Sequence, residues 1–105
     1  MKANKRQKLE QAGWQVGSAD EFLGLSAEES AYIDMKIALS EALKKTRIKK
    51  RISQVALAEL IASSQSRVAK MEAGDSSVSI DLLVKSLLAM GASRKEVANA
   101  LVTSR

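Results

Sequence analysis

Cysteine, histidine and proline are absent from the 105-residue chain, and its aromatics are limited to one Trp, one Tyr and one Phe. Without cysteine there is no disulfide framework and no thiolate metal site. Without histidine the commonest general base, the Ser-His-Asp arrangement and the commonest zinc ligand are excluded. The lack of proline removes the residue that most often breaks helices, which favours an all-helical chain. Scarce aromatics argue against an RNA or single-strand platform, because such platforms stack bases on exposed rings. Glu28 and Glu29 are the nearest thing to paired carboxylates. Adjacent residues point in different directions on a helix, so neither metal, cofactor nor enzymatic activity is expected.

No stretch approaches the roughly 18–20 apolar residues of a membrane span. The amino terminus is basic, but no apolar signal-peptide core follows it. A cytoplasmic protein is the expectation.

What is present is charge, unevenly placed. The net charge is +5 and the isoelectric point is near 9.7. From Leu9 to Met35 there is no Lys or Arg, but there are Glu10, Asp20, Glu21, Glu28, Glu29 and Asp34. From Lys36 to Lys70 the balance reverses, with Lys44, Lys45, Arg47, Lys49, Lys50, Arg51, Arg67 and Lys70 against Glu41 and Glu59. Such asymmetry assigns a nucleic-acid face to the second part and a different task to the first.

Serine punctuates the chain. Ser18 with Glu21, Ser26 with Glu29 and Ser93 with Glu96 are capping-box pairs, in which each side chain satisfies a free backbone N–H. Residues 1–12 read as an arm, and a short helix through Phe22 and Leu23 follows Ser18. A long helix of about 27–47 opens at Ser26, with Tyr32, Met35, Leu39 and Leu43 spaced to face the core. Ser53 opens a helix of about 54–61, and Ser64 one of about 65–73 closed by Gly74. Ser79 opens a helix that Gly91 ends, and the last helix carries Val97, Leu101 and Val102. The chain is divided into residues 1–26, an arm and short helix, and residues 27–105.

The informative block is ISQVALAELIASSQSRVAKMEAG, Ile52 to Gly74. Two short helices joined by a tight turn, the second polar at its start, are what a major-groove reader requires. Ala58 is small where the helices must approach, and Leu57, Ile61, Val68 and Met71 supply packing. Gln65, Ser66 and Lys70 fall on the other face of the second helix.

This block resembles the helix-turn-helix of the lambdoid phage repressor and Cro group, the XRE family. The likeness rests on Ser-Gln opening the first helix, Leu-Ala within it, Ser-Gln-Ser opening the second and Glu-x-Gly closing it. It implies an all-α, compact five-helix lambda-repressor-like DNA-binding domain with an N-terminal extension. It also implies a sequence-specific transcriptional regulator, a repressor of its own operon.

Residue by residue, the resemblance makes Gln65, Ser66, Arg67 and Lys70 the base readers. Gln65 would pair two-pronged with adenine, and Lys70 would favour guanine. Gln54, Ser64, Lys49, Lys50 and Arg51 would contact phosphate, and Arg47 with Glu72 would form a structural ion pair. Arg51 and Ala62 stand where the family often has turn glycines, so the turn at Arg51 is expected to differ or to add a phosphate contact. A homodimer is expected, joined through Val97, Leu101 and Val102, on a palindromic double-stranded operator.

Small chains of this kind often serve as antitoxins. The segment GWQVGSADEFLGLS resembles the extension of such proteins and makes a RelE- or HigB-like toxin the candidate partner of a HigA-like chain. Trp14, Val16, Phe22 and Leu23 are the candidate contacts. The alternatives are a plain phage-type repressor, and a protein-binding module with only nonspecific DNA affinity.

Overall fold

The computed structural model describes residues 26–102. The extension, with Trp14, Val16, Phe22, Leu23 and the Ser18 helix, lies outside the described residues. Five helices and no strand occur among the described residues: α1 (Ala27–Lys49), α2 (Gln54–Leu60), α3 (Gln65–Glu72), α4 (Ile80–Ala89) and α5 (Arg94–Val102).

Each helix starts on a serine. The hydroxyls of Ser53, Ser64 and Ser79 accept from the N–H groups of Ala56, Arg67 and Leu82 at 3.0, 3.1 and 3.1 Å. Ser26 with Glu29, and Ser93 with Glu96, close reciprocal capping boxes. Each cap satisfies donors that a helix start otherwise leaves free, worth about 1 kcal/mol against alanine.

The first four helices also end alike. Arg51 and Ile52 donate to the carbonyls of Ile48 and Arg47, Ala62 and Ser63 to Glu59 and Ala58, Gly74 and Asp75 to Met71 and Lys70, and Gly91 and Ala92 to Leu88 and Leu87. This double closure requires a left-handed residue at each corner. The four corner residues have φ of 58°, 55°, 74° and 97° at Arg51, Ala62, Gly74 and Gly91. The turn at Arg51 therefore does not differ in form. Arg51 and Ala62 take the conformation glycine would take, and bear its steric cost.

The core gathers Leu39 and Leu43 of α1, Leu57 and Ala58 of α2, Val68 and Met71 of α3, and Leu83 and Leu87 of α4, with Val78, Met90 and Val97. Complete burial of one such aliphatic side chain is worth about 1.5–3 kcal/mol. Val78, in the connection before α4, is only 2 % exposed. A residue outside every helix is thus a core residue.

Two expectations are corrected. Tyr32 and Met35 were spaced to face the core, but Tyr32 is 50 % exposed and Met35 is exposed as well. Helical spacing identifies a face, not where along a long helix burial begins, and here it begins at Ala38. Val97 is buried in the chain's own core, so it is not available to a dimer interface, whereas Val102 is 78 % exposed. The chain divides into two units, Met1–Ile33 and Asp34–Arg105. The geometry of the candidate interface below belongs to the second. No helix among the described residues is long and apolar enough to cross a membrane.

Candidate nucleic-acid interface

Helices α2 and α3 pack chiefly on each other. Leu57 and Ala58 meet Val68 and Met71 in the core. The intervening turn is short because the Ser63 N–H donates to the Ala58 carbonyl at 2.7 Å, and Ser64 at once caps α3. Burying Val68 and Met71 leaves the other side of α3 outward, so Gln65, Ser66, Arg67 and Lys70 are all exposed, as are Ser64 and Arg51.

The inner side of α3 is tied by a polar chain. Arg47 Nε donates to Glu72 Oε2, and its Nη2 donates to Glu72 Oε1 at 3.0 Å. Its Nη1 reaches the Ile52 carbonyl at 2.9 Å, which holds the α1–α2 corner as well. Gln54 Nε2 donates to Glu72 Oε1 at 3.1 Å, and Gln65 Nε2 donates to Gln54 Oε1 at 2.6 Å. One connected set of hydrogen bonds therefore runs from α1 through the end of α3 and the start of α2 to the start of α3.

The Arg47 and Glu72 side chains are 13 % and 5 % exposed. Burial pushes the Glu72 carboxyl up. Hydrogen bonds from Arg47 and Gln54, with the charges of Arg47 and Lys44, outweigh burial and hold it below the usual carboxylate range. The hydrogen bond to Glu72 raises the Arg47 guanidinium above its ordinary value against the opposing effect of burial. The expected ion pair is present, with a two-pronged geometry that suits a planar guanidinium.

The connection from α3 to α4 is also built. Asp75 Oδ1 accepts from the Ser77 N–H at 2.8 Å and from the Ser77 hydroxyl at 2.7 Å, which lowers the Asp75 pKa. Lys36 Nζ donates to the Ser76 carbonyl at 2.9 Å. Lys36 and Lys70 both lend their charge to Asp75, and Lys44 lends its charge to Glu72.

The basic run is thereby divided. The contacts of Lys49 and Lys50 are with the other side of the domain. Lys49 lines an open groove between α1 and α5, beside Glu96 and Ala100. Lys50 Nζ lies 3.3 Å from where a Cβ on Gly91 would stand. The backbone N–H of Ser93 is the main cause that lowers the Glu96 pKa, and Lys49 and Lys50 add to it. The cations brought toward α3 and its following loop are instead Lys36, Lys44, Arg67 and Lys70. Lys36 was missed from sequence. Its signal was the helical spacing Lys36, Ser40, Lys44, Arg47, which places four polar residues along one side of α1.

Paired short helices around a tight turn, with one polar and basic face turned outward, define a helix-turn-helix DNA-binding domain. A family model described as helix-turn-helix matches residues 43–97, just over half of the chain. The chain belongs to that family, the XRE-type helix-turn-helix regulators, and is a DNA-binding transcription regulator. No curated protein and no solved structure matches it.

Proposed function

We propose that the protein represses its own operon by binding a palindromic operator as a homodimer. Gln65, Ser66, Arg67 and Lys70 read base edges, while Gln54, Ser64 and Arg51 hold phosphates. Residues 27–105 form the DNA-binding part. The observation that carries this reading is the exposed polar face of α3, held in place by the Arg47–Glu72 ion pair behind it. The two recognition helices of the dimer enter successive major grooves about 34–36 Å apart. Lys36 and Lys44 join the phosphate set, and Lys49 and Lys50 make a smaller contribution than the basic run suggested. Val102 and its neighbours at the end of α5 supply the dimer contact.

Fluorescence anisotropy on duplex DNA from upstream of the protein's own gene tests this, with a scrambled duplex as control. The expected preference is about a thousandfold or more, lost in a Gln65→Ala/Lys70→Ala double variant that stays folded. Equal, weak binding to both duplexes overturns specific autoregulation.

A second reading adds the antitoxin role, in which residues 1–26 engage a RelE- or HigB-like toxin through Trp14, Val16, Phe22 and Leu23. It is favoured by the first turns of α1, where exposed Tyr32 and Ile33 stand beside Glu28 and Glu29. An apolar patch with an acidic rim suits a basic protein partner. Copurification with the product of the adjacent gene supports this role, and a monodisperse protein that ignores that product rules it out.

A further inference from the structure

We infer that Glu72 is a positioning residue for base specificity: through Gln54, it sets which way the Gln65 amide faces the DNA. The inference rests on the proposed base-reading role of Gln65.

The argument starts from what a carboxylate can do. Ionised Glu72 only accepts hydrogen bonds, and its low pKa keeps it ionised at neutral pH. Gln54 carries both a donor and an acceptor at the end of its side chain. Facing Glu72 with its oxygen would oppose two acceptors, so Gln54 must present its Nε2, as it does at 3.1 Å. That choice turns Gln54 Oε1 toward Gln65, which must answer with a donor, and Gln65 Nε2 does so at 2.6 Å.

The polarity of one buried carboxylate is therefore passed across two amides to the exposed start of α3. Gln65 keeps its Oε1 and one N–H for a ligand, in a fixed order. Adenine presents a donor at N6 and an acceptor at N7 in the major groove, and a glutamine matches it only with its acceptor and donor in the corresponding order. Reversing the Gln65 amide exchanges the two and removes the match. The Arg47–Glu72 ion pair thus acts on recognition as well as on stability. Arg47 holds Glu72 charged and correctly placed, and Glu72 holds the amides.

A duplex library randomised over about one operator length, selected with the full-length protein, gives the wild-type consensus. Anisotropy on single-base variants of that consensus then measures discrimination. Gln65→Ala first identifies the base pair that Gln65 reads, where wild type should discriminate about tenfold or more. Glu72→Gln keeps the shape but offers both donor and acceptor, so both amide orientations become available. The expected result is discrimination falling toward parity at that one base pair, with preferences elsewhere retained.

Gln54→Met breaks the chain of amides while leaving Arg47 and Glu72 paired, so it serves even if Glu72→Gln folds poorly. It should show the same loss at the same base pair. Unchanged discrimination at that base pair in Gln54→Met overturns the relay while leaving the Gln65 reading intact; the even loss of affinity that a missing Gln54 phosphate contact adds for all duplexes does not bear on it. If Gln65→Ala alters no base preference, or wild type selects no consensus, the Gln65 reading itself fails and the relay with it.

Discussion

The two sides of α3 are built from adjacent residues and obey opposite rules. On the inner side Val68 and Met71 have no exposed surface, and Glu72 is hydrogen-bonded by two other elements. On the outer side Ser66, Arg67 and Lys70 are exposed, and none of their side chains hydrogen-bonds within the described residues. Eight residues thus divide two tasks. The inner side spends its contacts on fixing position and angle, and the outer side keeps its donors and charges free for the base reading proposed above.

Substitutions on the inner side should cost most. Met71→Ala removes a completely buried α3 side chain from the core and should lower stability by about 2–5 kcal/mol in urea titrations. Loss of under about 1 kcal/mol would mean that the outer side does not depend on this packing.

Arg47→Met comes next. It leaves Glu72 largely buried without its cation and should cost about 3 kcal/mol at pH 7. The pH dependence sharpens the point. The Glu72 pKa is depressed on folding, so the unfolded chain takes up the proton first. The pair's contribution is complete above the unfolded value of about 4.3 and is lost as pH falls through the lower native value. Melting temperature measured across acid pH should therefore fall less steeply in Arg47→Met than in wild type. Parallel curves would show that the pair contributes nothing to acid lability.

Ala62→Gly relieves a left-handed corner between the two helices and should raise stability by about 0.5–1 kcal/mol. Arg51→Gly should stabilise the α1–α2 corner similarly. It should also reduce the salt dependence of DNA binding by about one counterion if Arg51 meets phosphate. An unchanged salt slope would place Arg51 off the DNA.

The smallest effect on stability belongs to the outer side. Lys70→Ala should move the unfolding free energy by less than about 0.5 kcal/mol while relaxing preference at one base pair. A large loss of stability would erase the contrast between the two sides.

Much of the scaffold was legible because its signals are local. Ser26, Ser53, Ser64, Ser79 and Ser93 each bind a backbone N–H three residues on, and Gly74 and Gly91 take the left-handed corners their type allows. The pairing of Arg47 with Glu72 was legible only through the family resemblance, since 25 residues separate them. Arg51 was read in the opposite sense, as a turn that would differ or add a phosphate contact. Its side chain argues against a left-handed residue, and the hydrogen bonds of the flanking helices impose one there, as they do at Ala62.

Local signals in the sequence set the helix starts, the stops at Gly74 and Gly91, the all-α class and the polar face of α3, because caps and helical periodicity act over one turn of chain. The tertiary structure alone decided where α1 becomes buried, that Val78 and Val97 belong to the core, and that Lys49 and Lys50 turn toward α5 while Lys36 reaches the loop after α3. It also decided that Glu72 reaches Gln65 through Gln54. These outcomes depend on which helix lies against which. A side chain's partners across the core are set by the crossing of whole elements, which no local spacing encodes.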